Sequence, residues 1–282
     1  MRRPVLQGQF LYSGRYMEVF VTTTVLAIGA HPDDETYAAG LLAKFASEGH
    51  AVYILTTTRG EGGTAGDPPL TDRAGLPAVR EEEGRAAATL LGAQSISFLP
   101  FVDPIPGPNR TWKAVEAPLD AFGDAIGSVI AGLRPDIVIT HGSDGEYGHP
   151  QHLYTHQAVF VALLRLRPWQ PREVLTWEAS FPDADPERKL NPSDRADLVL
   201  DVSPWFATKV AAAEAHRTQR LALLHGVRDK PMAEAMDRIE SFRRWTPQEV
   251  EQAANSAISN FAAASEPRPP MDLPPVPNHR KE

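Results

Sequence analysis

A buried apolar run that stops at a cluster of charged residues constrains this chain most strongly. Residues 24–29 read TVLAIG, and residues 30–35 read AHPDDE. An apolar run of this length, bounded by glycine and proline, is typical of a buried parallel strand. The charged cluster then falls at the carboxyl end of that strand, where open α/β sheets place their ligands. Three acids and a histidine beside a hydrophobic core need a positive partner, and a metal ion is the simplest candidate.

Strand and helix patterns alternate along the chain as far as residue 166. The patterns predict strands at 24–30, 51–57, 95–99 and 135–140, and helices at 36–48, 77–91, 119–132 and 151–166. Such alternation builds βαβ units with right-handed crossovers and helices on both faces of the sheet. The predicted fold class is therefore α/β, a three-layer α/β/α, Rossmann-like sandwich with a mostly parallel sheet.

The rest of the chain is predicted to add strands and helices to this sheet, with an irregular segment before it and an extended or disordered tail after it. The patterns indicate an irregular lead-in at 1–22, strands at 174–179 and 198–202, a long helix at 204–224 and a capping box that starts a helix at Thr246. We expect a single domain over residues 1–265. Residues 266–282 are rich in proline and charge, which predicts an extended or disordered tail.

The composition narrows the class of partner. A net charge of −8 argues against a nucleic acid or an anionic membrane surface. The absence of cysteine removes disulfides, thiolate metal sites and cysteine nucleophiles. No segment reaches the roughly 18 apolar residues that a membrane helix needs, and residues 1–22 do not have the form of a signal peptide. We therefore expect a cytoplasmic protein that acts on a small molecule; the sequence leaves homo-oligomer formation open.

A second polar cluster follows the predicted strand at 135–140. Residues 147–156 read YGHPQHLYTH, with Pro150 suited to the first turn of a helix. Alone, this cluster is explained equally well as solvated histidines at a helix start. Two such clusters after two strands of one parallel sheet favour a functional site instead, because adjacent parallel strands bring their carboxyl ends together. His31, Asp34 and one downstream histidine would then form a two-histidine, one-carboxylate metal site, as suits catalytic zinc or ferrous iron.

The two motifs together resemble the LmbE-like, or PIG-L, family of zinc N-deacetylases. That family includes deacetylases of N-acetylglucosaminyl-phosphatidylinositol, of mycothiol and bacillithiol precursors, and of some glycopeptide antibiotics. Three further stretches are similar to the family pattern: residues 58–61 (TRGE), residues 80–92 and residues 209–219. The resemblance covers roughly residues 24–220.

The resemblance implies a role for each matching residue around the metal. His31, Asp34 and His152 match the zinc ligands. Asp33 matches the general base that activates the metal-bound water. Zinc is the expected cofactor, although the same ligands also suit Fe²⁺.

Four more residues match groups that face the substrate. His149 matches the group that stabilises the tetrahedral intermediate or protonates the leaving amine, and Tyr147 matches a tyrosine that polarises the amide carbonyl. Arg80 and Asp103 fall where the family contacts sugar hydroxyls. Both also have plainer interpretations, since Arg80 could belong to a solvated helix start and Asp103 to a simple turn.

One position departs from the family pattern. Gln151 lies between the two histidines, where the family usually has aspartate. An acid there would favour the protonated form of His149, whereas an amide carries no charge. We therefore expect His149 to act by electrostatics or positioning more than as a strong acid.

The sequence as a whole predicts a zinc-dependent hydrolase that removes an N-acetyl, or other N-acyl, group from an amino sugar or glycoconjugate. Two alternatives stay open: an amidase that uses the same site on thiol conjugates, and a non-catalytic sugar-binding module that kept the fold. Asp33 argues against the module, because binding needs no base. Glu35 is expected only as a favourable charge near a helix start, and His216 as a structural histidine.

Overall fold

The computed structural model describes residues 9–12, 15–18, 22–107, 111–185 and 188–265. The predicted tail at 266–282 lies outside the described residues. In the predicted irregular lead-in, strands β1 (Gln9–Tyr12) and β2 (Arg15–Glu18) pair as an antiparallel hairpin, so the expectation of irregular structure was wrong there.

The other strands and the helices follow the predicted alternation as far as residue 165. The strands are β3 Thr24–Gly29, β4 Ala51–Thr58, β5 Ser95–Phe101, β6 Ile137–Thr140, β7 Glu173–Trp177, β8 Ala179–Ser180, β9 Asn191–Arg195, β10 Leu198–Asp201 and β11 Ile239–Trp245. The helices are α1 Ala39–Ser47, α2 Leu76–Leu90, α3 Leu119–Leu133, α4 Gly145–Gly148, α5 Pro150–Arg165, α6 Phe206–Ala215, α7 Arg220–Leu223, α8 Met232–Ala235 and α9 Pro247–Ser265.

Seven strands form the main sheet in the order β10-β11-β7-β6-β3-β4-β5. The five strands from β7 to β5 run parallel. At one edge β11 pairs antiparallel with β7, and β10 pairs antiparallel with β11. Strand β3 lies in the middle, and Ile28 on it pairs with Leu55 on β4 and with Thr140 on β6. This register brings the segments that follow β3 and β6 side by side.

Alternate residues of the central strands face two separate hydrophobic cores, as the two-residue period of a strand requires. On β3, Leu26 and Ile28 join the core under α3, α5 and α9, whereas Val25 and Ala27 join the core under α1, α2 and α6. Helices therefore cover both faces of the sheet, and the predicted three-layer α/β/α fold is confirmed. Among the described residues, no helix is both long enough and apolar enough to span a membrane.

The predicted long helix at 204–224 was wrong, because the chain leaves the helix at His216. Helix α6 ends at Ala215, a 3₁₀ turn follows at Arg217–Gln219, and α7 is a single short turn. The buried ring of His216 bonds to Glu35, which ties the break to the first polar cluster. The capping box at Thr246 is confirmed, since the backbone N–H of Thr246 donates to Glu249 and that of Glu249 donates back to the threonine hydroxyl.

Candidate metal centre

The loop after β3 places the first polar cluster at the carboxyl edge of the sheet. Asp33 adopts a left-handed conformation, with φ 119°, and a 3₁₀ turn begins at Asp34. The carboxylate of Asp34 accepts the backbone N–H of His31 at 2.8 Å. A positive φ is costly for a residue with a side chain, so the surrounding bonds must hold Asp33 in place.

The loop after β6 supplies the second cluster. Pro150 opens α5, and His149 immediately before it is the N-cap, whose Nδ1 accepts the backbone N–H of Gln151 at 3.4 Å. The next turn of α5 carries His152 into the protein interior, where it is 1 % exposed. Tyr147 lies nearer the surface, with its ring centroid 5.6 Å from that of His149.

The structure brings the three predicted ligands together. His31, Asp34 and His152 are buried and offer ligand atoms that all lie within 4.8 Å of one another. The Nδ1 of His31 and the Nε2 of His152 each lie 3.4 Å from a different oxygen of Asp34. Two imidazoles and one carboxylate converging in this way fit a catalytic zinc ion or a ferrous ion.

The electrostatics of Asp34 favour its charged form. Burial alone would raise the pKa of this carboxyl, but His152, His141 and His31 together hold it well below its usual range. Asp34 is therefore an anionic ligand ready for a cation.

Glu146 holds His152 from behind. Its Oε2 lies 2.6 Å from the Nδ1 of His152 and 3.1 Å from the Nδ1 of His141, and its other oxygen accepts the N–H of Gly142. Glu146 itself has a positive φ of 59°. A carboxylate on the far nitrogen of a ligand histidine fixes the ring and its tautomer, as in many zinc sites.

Glu146 was not predicted as a functional residue, although a glutamate between Gly145 and Tyr147 was a usable signal. His141, Glu146 and His152 also lie close enough together to form a metal-binding group of their own. The two groups share His152, but they use different sides of its ring. The side that carries Nδ1 is bonded to Glu146, so Nε2 and the Asp34 side are the ones that suit a metal.

Gln151 supports the other ligand histidine. Its Oε1 lies 3.0 Å from the Nε2 of His31, while its Nε2 donates to Asp103 at 2.5 Å. The side chain therefore bonds to His31 and Asp103, and only the backbone of residue 151 bonds to His149. Burial, followed by nearby His152 and His31, lowers the pKa of His149 to about 2. The electrostatic or positioning role expected of His149 stays a prediction.

Asp33 lies beside the ligands and is held by Arg80. The guanidinium of Arg80 donates to Asp33 Oδ1 at 3.2 Å, and also to the backbone carbonyls of Pro32 and Gly60. Burial raises the pKa of Asp33 to about 6 against the opposing charge of Arg80. A carboxylate with a pKa near 6 is suited to take a proton at neutral pH.

Arg80 and Asp103 are both inside the site, but each is engaged by the protein. Arg80 is 2 % exposed, and Asp103 accepts the side chain of Gln151 and the backbone N–H of Gly62. Their contact with sugar hydroxyls stays a prediction.

Glu35 bonds both to Asp33, the expected general base, and to His216, which lies at the end of helix α6. One oxygen of Glu35 accepts the backbone N–H of Asp33 at 3.1 Å, and the other lies 2.5 Å from the Nε2 of His216. Glu35 thus does more than favour a helix start, because it stabilises the left-handed backbone of Asp33.

Comparison with known proteins assigns the chain to a family. The family model described as PIG-L, GlcNAc-PI de-N-acetylase, matches residues 26–163. A deacetylase of Mycobacterium sp. (strain JLS), named 1D-myo-inositol 2-acetamido-2-deoxy-alpha-D-glucopyranoside deacetylase, is 33% identical over 231 residues, which cover 69% of this chain and 73% of that protein. The chain belongs to the PIG-L family. The predicted resemblance and the predicted class, a hydrolase of carbon–nitrogen bonds, are confirmed.

Other known proteins match over different lengths. The mycothiol S-conjugate amidase of Streptomyces coelicolor is 34% identical over 149 residues, which cover 49% of this chain and 50% of that protein. Among solved structures, the conserved protein TT1542 from Thermus thermophilus superimposes with a TM-score of 0.56 at 25% identity, covering 80% of this chain and 96% of that one.

Proposed function

We propose that this PIG-L protein is a metal-dependent N-deacetylase that hydrolyses the acetamide of a GlcNAc unit within a larger glycoside. The observation that carries the proposal is the convergence of His31, Asp34 and His152 beside the half-buried carboxylate of Asp33. The name of the mycobacterial relative supports a substrate of the GlcNAc–inositol type.

The three ligands would hold zinc, with ferrous iron as the alternative that the same donors allow. The ion would supply a water of lowered pKa and a positive charge for the amide oxygen. Asp33 takes one proton from the attacking water as its oxygen bonds to the amide carbon. Arg80 keeps the Asp33 carboxylate oriented during this transfer.

Collapse of the tetrahedral intermediate breaks the carbon–nitrogen bond and releases acetate and the amine. A neutral His149 whose Nδ1 accepts a backbone N–H carries its proton on Nε2, so it can donate a hydrogen bond. Burial, reinforced by Asp34 and Asp33, raises the pKa of the Tyr147 phenol well above its usual range. Tyr147 therefore stays a phenol and donates its proton in a hydrogen bond to the developing oxyanion. Asp33 returns the proton that the leaving amine needs.

An amidase acting on thiol conjugates is the second candidate, and the Streptomyces relative favours it. Both reactions hydrolyse an amide, so the same base and ligands serve both. A binding module without catalysis is disfavoured, because it has no use for a carboxylate whose pKa is raised to about 6 beside three converging ligands.

Acetate release from N-acetylglucosamine glycosides, measured with metal content on the same samples, tests the proposal. We expect Asp33→Ala to lower kcat by about 10²- to 10⁴-fold while the metal is retained, since the variant removes only the base. The exposed Asp229→Ala is the matched control and should behave as wild type. A near wild-type rate in Asp33→Ala would refute the mechanism. Full metal occupancy without release of acetate or of a thiol-conjugate amine would favour the binding module.

A further inference from the structure

Two exposed aromatic rings stand at the mouth of the site. Trp112 is 43% exposed and Tyr147 is 39% exposed, and their ring centroids are 6.1 Å apart. The indole also lies 5.1 Å from the ring of His149, which faces the reacting amide in the proposed mechanism. A tryptophan exposed to solvent on one side therefore touches a group of the reaction centre on the other.

This exposure is part of a wider pattern. In the described part of the chain, ten large hydrophobic side chains are exposed, and five of them lie in the segments between β4, β5 and β6 and the long helices that follow these strands. Those five are Leu70, Val102, Ile105, Trp112 and Tyr147. Exposed apolar side chains scattered singly need no explanation, but a concentration around a polar site indicates a contact surface for a ligand.

Further contacts adjoin both rings. The backbone N–H of Gly107 donates to the carbonyl of Thr111, the residue before Trp112, at 2.9 Å. The ammonium of Lys189 lies 4.6 Å from the centroid of the Tyr147 ring, a cation–π distance. Trp112, from the segment after β5, and Lys189, from the segment after β8, thus meet at Tyr147.

We propose that Trp112 and Tyr147 form an aromatic platform for a second six-membered ring of the substrate, the ring linked to the amino sugar. This inference rests on the proposed deacetylase function. It places the platform beside His149, which faces the reacting amide in the proposed mechanism, because Trp112 contacts that ring. A saturated sugar or cyclitol ring has a flat C–H face that packs on an indole, while its hydroxyls stay in water at the edge.

Two substrates that differ only in that ring test the platform. They are the methyl and the inositol α-glycosides of N-acetylglucosamine. Because ring stacking is worth about 1 kcal/mol, Trp112→Ala should raise KM for the inositol glycoside about fivefold, with kcat nearly unchanged. The KM for the methyl glycoside should change far less, and Trp112→Phe should restore most of the difference. The matched control is Val199→Ala, an exposed hydrophobic residue on strand β10, away from the mouth.

Saturation-transfer NMR with the deacetylated inositol glycoside tests the platform apart from catalysis. We expect transfer to the inositol protons in wild type and its loss in Trp112→Ala. If wild type binds in this way but hydrolyses neither substrate, the proposed function fails and the platform stands. Equal rises in KM for both glycosides, or inositol signals that persist in Trp112→Ala, would overturn the platform. So would a change in oligomeric mass in Trp112→Ala with KM unaltered, because the patch would then join protein chains.

Discussion

The two histidines that we propose as metal ligands, His31 and His152, are supported by different chemistry on the side away from the metal position. His31 has its Nε2 on the neutral amide of Gln151, at 3.0 Å, whereas His152 has its Nδ1 on the carboxylate of Glu146, at 2.6 Å. An oxygen can only accept, so each contact puts the ring proton on the supported nitrogen and leaves the lone pair on the other one. The site therefore presents Nδ1 from one histidine and Nε2 from the other.

The difference in charge shows how each support is anchored. Glu146 is a buried anion between two imidazoles, and a charge-assisted bond of this kind is about twice as strong as a neutral one. Gln151 gains its orientation from Asp103. The Asp103 carboxylate accepts the amide N–H of Gln151, and this contact turns the amide oxygen toward His31. We infer that the charged support contributes more to metal affinity and that the neutral one depends on its anchor.

Removal of the charged support should have the largest effect. Glu146→Ala frees the Nδ1 of His152 and also leaves the N–H of Gly142 without this acceptor. We expect the zinc Kd to rise by about 10- to 100-fold and the Tm of the metal-free protein to fall. Competition with a chromophoric chelator gives the Kd, and calorimetry gives the Tm. Glu146→Gln, which keeps the shape of the side chain, should have a Kd and a Tm between those of wild type and Glu146→Ala. An unchanged Kd in both variants would show that the charged support does not contribute to metal affinity.

A smaller loss of metal affinity is expected on the side of His31. Gln151→Ala should weaken zinc binding by about tenfold, the lower end of the range for such supports. Gln151→Glu should not bind zinc more tightly than wild type, because the second carboxylate oxygen would face Asp103 at the place where the amide N–H now donates.

The double variant Gln151→Glu/Asp103→Asn separates charge from geometry. It exchanges the donor and the acceptor of the pair, so the carboxylate would face His31 and the asparagine amide would hold it. We expect metal affinity at or above that of wild type by the same chelator competition. If the double variant binds zinc more weakly than Gln151→Glu alone, the anchor has no role in orienting residue 151.

Strands β3, β4 and β6 could be predicted because each is largely buried and reads as a mostly apolar run. Strand β11 could not, because its sequence IESFRRW carries charges whose partners are remote. Buried Glu240 on β11 is paired with Lys209 on α6 and accepts the backbone N–H of Gly40, contacts that no local pattern reveals. The end of helix α6 before His216 was missed for the same reason, since the buried ring of His216 pairs with Glu35, which lies 181 positions earlier in the chain.

That His31 and Asp34 lie beside a downstream histidine could be predicted because both motifs follow neighbouring strands, whereas the choice of His152 rested on the family resemblance. The supports of the two histidines could not be predicted, because they depend on backbone geometry. Glu146 reaches His152 from a residue with φ 59°, and the first turn of α5 directs Gln151 toward His31. Sequence reasoning assigned residue 151 an influence on His149, the neighbour in the chain, whereas the fold places its side chain against a histidine 120 positions earlier.

The smallest effect concerns the base, which neither support contacts. Activity requires ionised Asp33, whose pKa is raised to about 6, so kcat/KM should fall as the pH drops through about 6. Arg80 opposes that rise, so Arg80→Gln should raise the pKa further and move the acidic limb upward by about one pH unit. Arg80→Lys keeps the charge and should move the limb less. The limb should stay in place in Gln151→Ala measured at saturating zinc, because that variant leaves the contacts of Asp33 intact; a limb that moves with Gln151 would show that the support and the base are coupled.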